Sequence, residues 1–252
     1  MFSSGEKMSR IVSAHQPNFL PYLGFFDKMK QSDIFVIRDE VLFIKKEYHN
    51  RNQIRINSND NINNPQSKWV SVPVEDPDDC IMHVKIKKSS QQKNKSWEKK
   101  FLQEIEASYR RAPYFTVFFS ELQKIFNNSD DKLLELNMKI INFLKSAFNI
   151  RTQIILASQL NLKPEHYEKS NASEDIAKIC EKLNADRYLS CSGGKTYLNL
   201  EPFLKRSIKV EFQDYNHPVY PQHLPGFIPY MASIDALFCT GRMPDWRLKK
   251  KF

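Results

Sequence analysis

Glycine, cysteine and long apolar runs are all scarce in this chain of 252 residues. Six glycines are too few for a glycine-rich repeat, and the four cysteines (Cys80, Cys180, Cys191 and Cys239) lack the paired spacing of zinc sites and disulfide frameworks. No apolar run approaches the roughly 20 residues of a membrane span, and no secretory signal opens the chain. We therefore expect a reduced, cytoplasmic protein with no membrane span and no metal site.

Hydrophobic and basic residues, by contrast, are abundant. Hydrophobic residues make up 41% of the chain and aromatic residues 12%, which is the composition of a folded globular protein. The formal net charge of +9 favours anionic partners (nucleotides, phosphorylated sugars, RNA, an acidic carrier protein or a membrane surface) without choosing among them. We expect one domain over residues 10–241, between a flexible leader at 1–9 and a basic tail at 242–252.

Short apolar runs alternate with helical patterns along most of the chain. Strands are predicted at residues 11–15, 34–37, 53–56, 69–74, 82–86, 152–157, 186–190 and 208–212. Between about 96 and 148 the apolar spacing becomes helical, which predicts a helical insertion or cap. This alternation indicates an α/β fold, and we expect a mostly parallel, Rossmann-like sheet.

Two polar residues stand at the ends of apolar strands near the start of the chain. His15 ends the first predicted strand, and Asp39 follows the second. Ligands of open α/β sheets bind outside the carboxyl ends of the strands, so both residues are candidates for a site. For His15 the alternative is a structural histidine whose hydrogen bonds are satisfied within the fold.

A second candidate site lies between Cys191 and Lys195. A predicted strand runs directly into C-S-G-G-K and then a helix, which places backbone N–H groups and an ammonium where a phosphate could bind. The spacing differs from that of a Walker motif, and a plain tight turn is the alternative. Cys191 is also a candidate nucleophile, with His15 or His217 as its base.

A proline-punctuated segment, Tyr215–Gln222, precedes the last predicted helix. We expect it to be an ordered loop, and loops held by a rigid scaffold often carry function. Ser233 and Asp235 fall in the first turns of the helix. For Asp235 the alternative is a favourable interaction with the helix N-terminus, worth a few tenths to about 1 kcal/mol.

Several motifs together resemble the WbqC-like protein family. They are A-H-Q-P-N-F-L-P-Y-L-G-F-F, D-I-F-V-I-R-D-E-V, H-N-R-N-Q-I, W-V-S-V-P-V, Y-L-S-C-S-G-G-K-T-Y-L and H-P-V-Y-P-Q, spread from about Arg10 to Gly241. The family tends to carry two adjacent aspartates where this chain has Asp39-Glu40, and glycine or proline where it has Cys191. The resemblance implies a role in O-antigen or other surface polysaccharide biosynthesis, with glycyl transfer to a sugar as the suggested reaction.

The first strand, turn and helix are also similar to adenylate-forming and nucleotidyl-transferring enzymes with a His-x-x-His signature. The second histidine is missing here, and the stretch from Pro17 to Tyr22 stands in its place. ATP is therefore one candidate for activating the transferred acid. A donor already activated on tRNA or on a carrier thioester is the other.

The resemblance implies an enzyme: a transferase or ATP-dependent ligase that attaches an acyl or aminoacyl group to a nucleotide-linked or lipid-linked amino sugar. His15 (general base or phosphate contact), Asp39 (positioning of the amine or of a cation) and His217 are its expected catalytic residues. The expected substrate-binding residues are Gln16, Tyr22, Asn50, Arg51, Asn52, Ser192, Gly193, Lys195, Gln222, Ser233 and Asp235.

An RNA-binding protein without catalytic activity is the alternative function. Its support is the positive charge together with the aromatic content, because basic grooves with stacking rings bind single strands. Against it, the aromatic residues fall mainly at helical, core-like spacings, and no recognised RNA-binding motif is present.

Overall fold

The computed structural model describes residues 9–57, 63–75, 79–88, 96–127, 131–162 and 172–245. Its strands are β1 (Ile11–His15), β2 (Ile34–Ile37), β3 (Arg51–Ile56), β4 (Gln66–Ser71), β5 (Gln153–Leu156), β6 (Arg187–Ser190) and β7 (Lys209–Phe212). Its α-helices are α1 (Leu23–Lys30), α2 (Trp97–Tyr109), α3 (Phe115–Asn127), α4 (Leu133–Ala147), α5 (Ala172–Lys182), α6 (Glu201–Leu204) and α7 (Ser233–Thr240). Short 3₁₀ turns occupy Ile81–His83, Ala157–Leu160 and Ser192–Thr196. The predicted leader, apart from Ser9, and most of the predicted basic tail lie outside the described residues.

The described residues divide into two compact units that alternate along the chain. The first, here called the sheet unit, falls within Met1–His15, Asp27–Glu40 and Thr152–Tyr215. The second, here called the helical unit, falls within Gln16–Phe26, Val41–Arg151 and Asn216–Phe252. Each unit is therefore built from segments that are far apart in sequence.

Five parallel strands form the sheet of the sheet unit, in the order β5-β2-β1-β6-β7. The register pairs Val12 of β1 with Ile34 on one side and Ile11 of β1 with Arg187 on the other. All four residues of β2 are buried, as expected for a strand of a parallel sheet that is covered on both faces. The prediction of an α/β fold with a mostly parallel sheet is confirmed.

The two faces of β1 have different partners. Val12 and Ala14 belong to an apolar cluster that includes Ala177 of α5 and Phe203 of α6. Ser13 points to the opposite face, where its hydroxyl lies 2.6 Å from that of Ser32, just after α1. Because side chains alternate along a strand, His15 shares the face of Ser13.

The helical unit contains α2, α3, α4, α7 and the antiparallel hairpin β3–β4, and the first three helices occupy the predicted helical region. Phe101 of α2 stacks on Phe126 of α3 with ring centroids 4.4 Å apart. Phe19 packs edge-on against both, at 5.7 and 6.4 Å. The Phe19 ring therefore anchors the loop between β1 and α1 in the core of the helical unit.

One predicted strand, at residues 82–86, is wrong. Ile81–His83 forms a 3₁₀ turn, followed by isolated bridges at Lys85 and Ile86. The bridges lead to two different segments, at Lys132 and Val74, so no continuous ladder forms along these residues.

Candidate functional site

The strand order of the sheet unit reverses direction between β1 and β6. Numbered within the sheet, the order is 3-2-1-4-5, because β2 and β5 lie on one side of β1 while β6 and β7 lie on the other. In such sheets the ligand crevice lies at the carboxyl ends of the strands that flank the reversal. Those ends are His15 and the turn that follows Ser190. Extending the register of Val12 with Tyr188 places His15 opposite Cys191.

The two glycines of the turn after β6 have different surroundings. A Cβ at Gly194 would lie 2.2 Å from the hydroxyl oxygen of Ser190, so a larger residue there would force the Ser190 side chain to move. A Cβ at Gly193 would meet no described atom within 4 Å. Lys195, which follows, is exposed, and its Nζ lies 5.8 Å from the ring centroid of Phe212. The turn thus closes against its own strand at Gly194 and borders open space at Gly193.

A buried lysine that was not predicted from the sequence lies near the same two strand ends. Lys28 of α1 is 2% exposed, and its ammonium donates a 2.9 Å hydrogen bond to the carbonyl of Ala14. Burial lowers the pKa of Lys28 to about 8, and the nearby side chain of Cys191 acts in the opposite direction. At neutral pH this group is therefore a largely protonated cation inside the protein.

The sequence pattern did not predict the burial of this lysine. Leu23, Phe25, Phe26 and Met29, each 0–1% exposed, lie on one face of α1. Lys28 falls outside that face, so its burial depends on tertiary contacts rather than on the helical pattern. Asp27, beside it, is also buried and accepts a 2.8 Å hydrogen bond from the Gln213 carboxamide at the end of β7.

Asp39 has protein partners for both of its carboxylate oxygens. Ser158 donates to them through its backbone N–H, at 3.0 Å, and through its hydroxyl, at 2.6 Å. These bonds fix the 3₁₀ turn after β5. The neighbouring guanidinium of Arg38 donates to Glu40 and lies 3.7 Å from Asp175. The catalytic role of Asp39 stays a prediction; its contacts give it a role in holding the edge of the sheet.

In the helical unit, His49 supports the loop that begins at Gln16. The N–H of Ile44 donates to Nδ1 of His49 at 3.2 Å, so the ring proton is assigned to Nε2, which donates to Oε1 of Gln16 at 2.9 Å. Burial lowers the pKa of His49 to about 4, which keeps this ring neutral. Gln16 is thereby positioned by a buried, uncharged histidine.

The two asparagines of H-N-R-N bind backbone carbonyls. Asn52 donates to the carbonyl of Leu20 at 2.6 Å, and Asn50 donates to that of Val72 at 2.8 Å. Leu20 is a buried residue with a positive φ of 46°, a conformation that needs such support. Both asparagines therefore stabilise loops of the helical unit, and their predicted role in binding substrate stays a prediction.

Arg51, between these asparagines, belongs to an exposed aromatic and basic patch. Its guanidinium lies 4.3 Å from the ring centroid of Trp69 and donates to the carbonyl of Lys46. The ring of Tyr48 lies 5.7 Å from that of Trp69. Tyr48 and Trp69 are 45% and 40% exposed, so both rings remain accessible on the described surface.

Asp235 is completely buried in a network that the sequence did not reveal. Tyr220 and Gln222 donate to its Oδ1 at 2.7 and 3.0 Å, and Tyr109 donates to its Oδ2 at 3.0 Å. Burial raises the pKa of Asp235, and these three hydrogen bonds oppose the rise. The carboxylate is enclosed by protein donors, which fixes the loop around Tyr220 to the start of α7.

His217 and Ser233 lie in the same unit. Nε2 of His217 accepts a 3.2 Å hydrogen bond from the N–H of Tyr230, and burial lowers the pKa of His217 to about 4. Ser233 is fully buried, and its hydroxyl has no hydrogen-bond partner among the described residues. In the part of the chain that the structure describes, no group of three or more histidine, cysteine, aspartate or glutamate side chains is placed to hold a metal ion. No helix in the described ranges has the length and apolarity of a membrane span.

The strand order and the polar groups at the reversal define an α/β protein with a five-stranded parallel sheet and a candidate ligand site at the ends of β1 and β6. The chain belongs to the WbqC-like protein family, whose model matches residues 16–244. Its sequence is also similar to the uncharacterized protein Rv1507c of Mycobacterium tuberculosis, with 26% identity over 238 residues that cover 93% of this chain and 96% of that protein. No solved structure matches the chain.

Proposed function

We propose that the protein is a transferase or amide-forming ligase that binds a phosphate-bearing substrate at the carboxyl ends of β1 and β6. One observation carries this proposal. An imidazole, a buried ammonium and a glycine turn with an exposed ammonium belong to the two strand ends that flank the reversal of the sheet. Cations and accessible backbone N–H groups are the groups that bind phosphate oxygens.

Each group has a distinct role in this proposal. Lys195 and the backbone of Gly193 contact the phosphate, because the turn is open at Gly193 and Lys195 is exposed. Lys28 offsets the added negative charge from inside the protein. His15 lies at the end of the central strand and accepts the proton that the reaction releases.

The proposed reaction forms an amide on an amino sugar that is destined for a surface polysaccharide. The amine nitrogen attacks the activated acyl carbon, the leaving group departs, and the proton lost by the amine passes to His15. The leaving group is AMP if ATP activates the acid, or a tRNA hydroxyl or carrier thiol if the donor arrives activated. Family membership supports the choice of sugar chemistry.

Binding of a nucleotide-linked sugar is the first test, because every version of the proposal requires phosphate recognition. Calorimetric titration with UDP-N-acetylglucosamine and with ATP should give binding that Lys195→Ala weakens by about tenfold, the loss of one charge-assisted contact. Lys205→Ala removes another exposed lysine of the sheet unit and is the matched control. Failure of both nucleotides to bind, or equal affinity in the Lys195 and Lys205 variants, would sink the proposal.

The chemistry is then tested by ATP–pyrophosphate exchange over a panel of amino acids, glycine first. Exchange that is lost in His15→Ala, with the circular dichroism spectrum unchanged, would identify an adenylating ligase and its acid. Exchange with none of the acids would exclude adenylation. Aminoacyl-tRNA and carrier thioesters would then be the donors to assay.

A nucleic-acid-binding function is supported by the patch of Tyr48, Arg51 and Trp69. Exposed rings beside a guanidinium form a stacking surface for unpaired bases. If this function is correct, single-stranded RNA binds with an affinity that falls steeply with salt and drops in Trp69→Ala, while His15→Ala has no effect. RNA binding that is indifferent to Trp69→Ala would contradict it.

A further inference from the structure

The chain contains a short internal repeat. Residues 15–27 read H-Q-P-N-F-L-P-Y-L-G-F-F-D, and residues 223–235 read H-L-P-G-F-I-P-Y-M-A-S-I-D. The histidine, both prolines, the phenylalanine, the tyrosine and the aspartate recur at identical spacing. The tyrosines at equivalent positions, Tyr22 and Tyr230, both belong to the helical unit.

The structure brings the two repeated tyrosines together. Their ring centroids are 6.3 Å apart, with the ring planes tilted by 53°. The backbone joins the same segments, because Tyr22 forms an antiparallel bridge with Ala232 and the N–H of Ser233 donates to the carbonyl of Pro21 at 3.1 Å. Two copies of one motif thus present their tyrosines side by side on one unit.

The Tyr22 ring is accommodated by a glycine in the first turn of α1. A Cβ at Gly24 would lie 2.4 Å from Cε2 of Tyr22 and 2.7 Å from its hydroxyl oxygen. Glycine is unfavourable in a helix, so this position gives up helix stability to make room for the ring. The second copy has alanine, Ala232, at the equivalent position, just before its helix begins.

Tyr230 is held in an unfavourable backbone conformation at the surface. Its φ is +60°, a region that bulky residues avoid, and the residue is 56% exposed. Its N–H donates to Nε2 of His217, and the His217 ring packs at 4.7 Å from the tyrosine ring. Backbone strain of this kind is retained where the surrounding contacts enforce the conformation. Burial of the Tyr230 ring does not compensate for the strain, because the residue is largely exposed.

The rings around Tyr230 form a neutral surface on a basic protein. Phe227 is apolar, Tyr22 and Tyr230 contribute aromatic rings, and His217 is neutral because burial lowers its pKa to about 4. The whole chain, in contrast, carries a net charge of +9. This surface suits a neutral ring with C–H bonds on one face and hydroxyl groups at its edge better than it suits a phosphate.

We propose that Tyr22 and Tyr230 form a stacking surface for the neutral pyranose ring of a sugar substrate. The C–H bonds of one sugar face lie against the electron-rich faces of the rings, and the tyrosine hydroxyls reach hydroxyl groups at its edge. The inference rests on the proposed function for its choice of a sugar, and it assigns the sugar to residues other than those that bind phosphate.

Saturation-transfer NMR on the whole protein tests this inference, with N-acetylglucosamine and UDP-N-acetylglucosamine as probes. Saturation of the aromatic protons should transfer to the ring protons of both sugars. Tyr230→Ala and Tyr22→Ala should each weaken sugar binding about tenfold, whereas Tyr22→Phe should retain most of it. Tyr114→Ala, which removes an exposed tyrosine that belongs to no proposed binding surface, is the matched control.

Gly24→Ala provides a variant that keeps both tyrosines. Its methyl group forces the Tyr22 ring to move, so sugar binding should fall while the circular dichroism spectrum stays unchanged. Sugar signals that survive in both tyrosine-to-alanine variants would overturn the inference. If Lys195→Ala still weakens binding of the nucleotide-linked sugar in that case, the proposed function stands. If neither probe binds the wild-type protein, the inference is overturned, and the proposed function is overturned as well if ATP also fails to bind.

Discussion

Replacement of Lys28 by methionine should make the protein more stable at neutral pH. The lysine has a pKa of about 8 when folded and 10.5 when exposed, a difference that corresponds to about 3 kcal/mol of unfavourable charge burial. Methionine has a similar length and no charge. It also loses the hydrogen bond to Ala14, which contributes about 1 kcal/mol. We therefore expect a net gain of about 2 kcal/mol in the free energy of unfolding at pH 7.

The pH dependence provides an independent check on the same lysine. Between pH 8 and 10.5 the unfolded chain holds the Lys28 proton while the folded protein has released it. The contribution of Lys28 to the free energy of unfolding therefore rises with pH in this range. Below pH 8 the full cost of burying the charge is present. Lys28→Met should lack this rise, and the stability difference between variant and wild type should therefore shrink as the pH approaches 10.5.

Urea denaturation followed by circular dichroism at pH 7, 8, 9 and 10 measures both effects. Lys30→Met, at the exposed last residue of the same helix, is the control and should change stability by less than about 0.5 kcal/mol. A Lys28 variant that is less stable than wild type at pH 7, by an amount that does not change with pH, would refute the reasoning. The stabilised variant should also bind UDP-N-acetylglucosamine more weakly, because a buried cation that costs stability is expected to be retained for function.

Two further predictions concern stability alone. Gly194→Ala should destabilise the protein by about 1–3 kcal/mol through the clash with Ser190, whereas Gly193→Ala should cost less than about 0.5 kcal/mol; equal melting temperatures for the two variants would contradict the described turn. His49 should make the protein less stable by about 3 kcal/mol as the pH falls from 6.5 to 4, because the unfolded chain takes up the proton first. His49→Gln should remove this part of the pH dependence in denaturation curves, and an unchanged slope would show that His49 is not its source.

The element types and the fold class could be predicted because they depend on local pattern. Ile34–Ile37 and Arg187–Ser190 are short runs bounded by polar residues, and helical spacing separates many of the sheet's strands. Parallel pairing follows from such alternation, and so do the strand ends that carry His15 and Cys191. The strand prediction failed at residues 82–86, because the bridges there are formed with two different segments of the chain. No local sequence pattern encodes such pairing.

The partners of buried polar groups could not be predicted, because they depend on contacts over long separations. Tyr109 lies 126 residues from Asp235, and Ser158 lies 119 residues from Asp39. Sequence spacing carries no information about such pairs. Lys28 belongs with these cases, because it lies outside the apolar face of α1 and only tertiary contacts such as its hydrogen bond to Ala14 account for its burial.

The position of β1 in the sheet has a consequence for synthesis on the ribosome. This strand is made first and finds β2 almost at once, yet its other edge pairs with β6, beginning at Arg187. The whole segment between β1 and Arg187 is therefore translated before that edge is covered. An uncovered apolar strand edge recruits other strands, including those of neighbouring nascent chains. We therefore expect products that terminate before Arg187 to aggregate more readily than the whole chain.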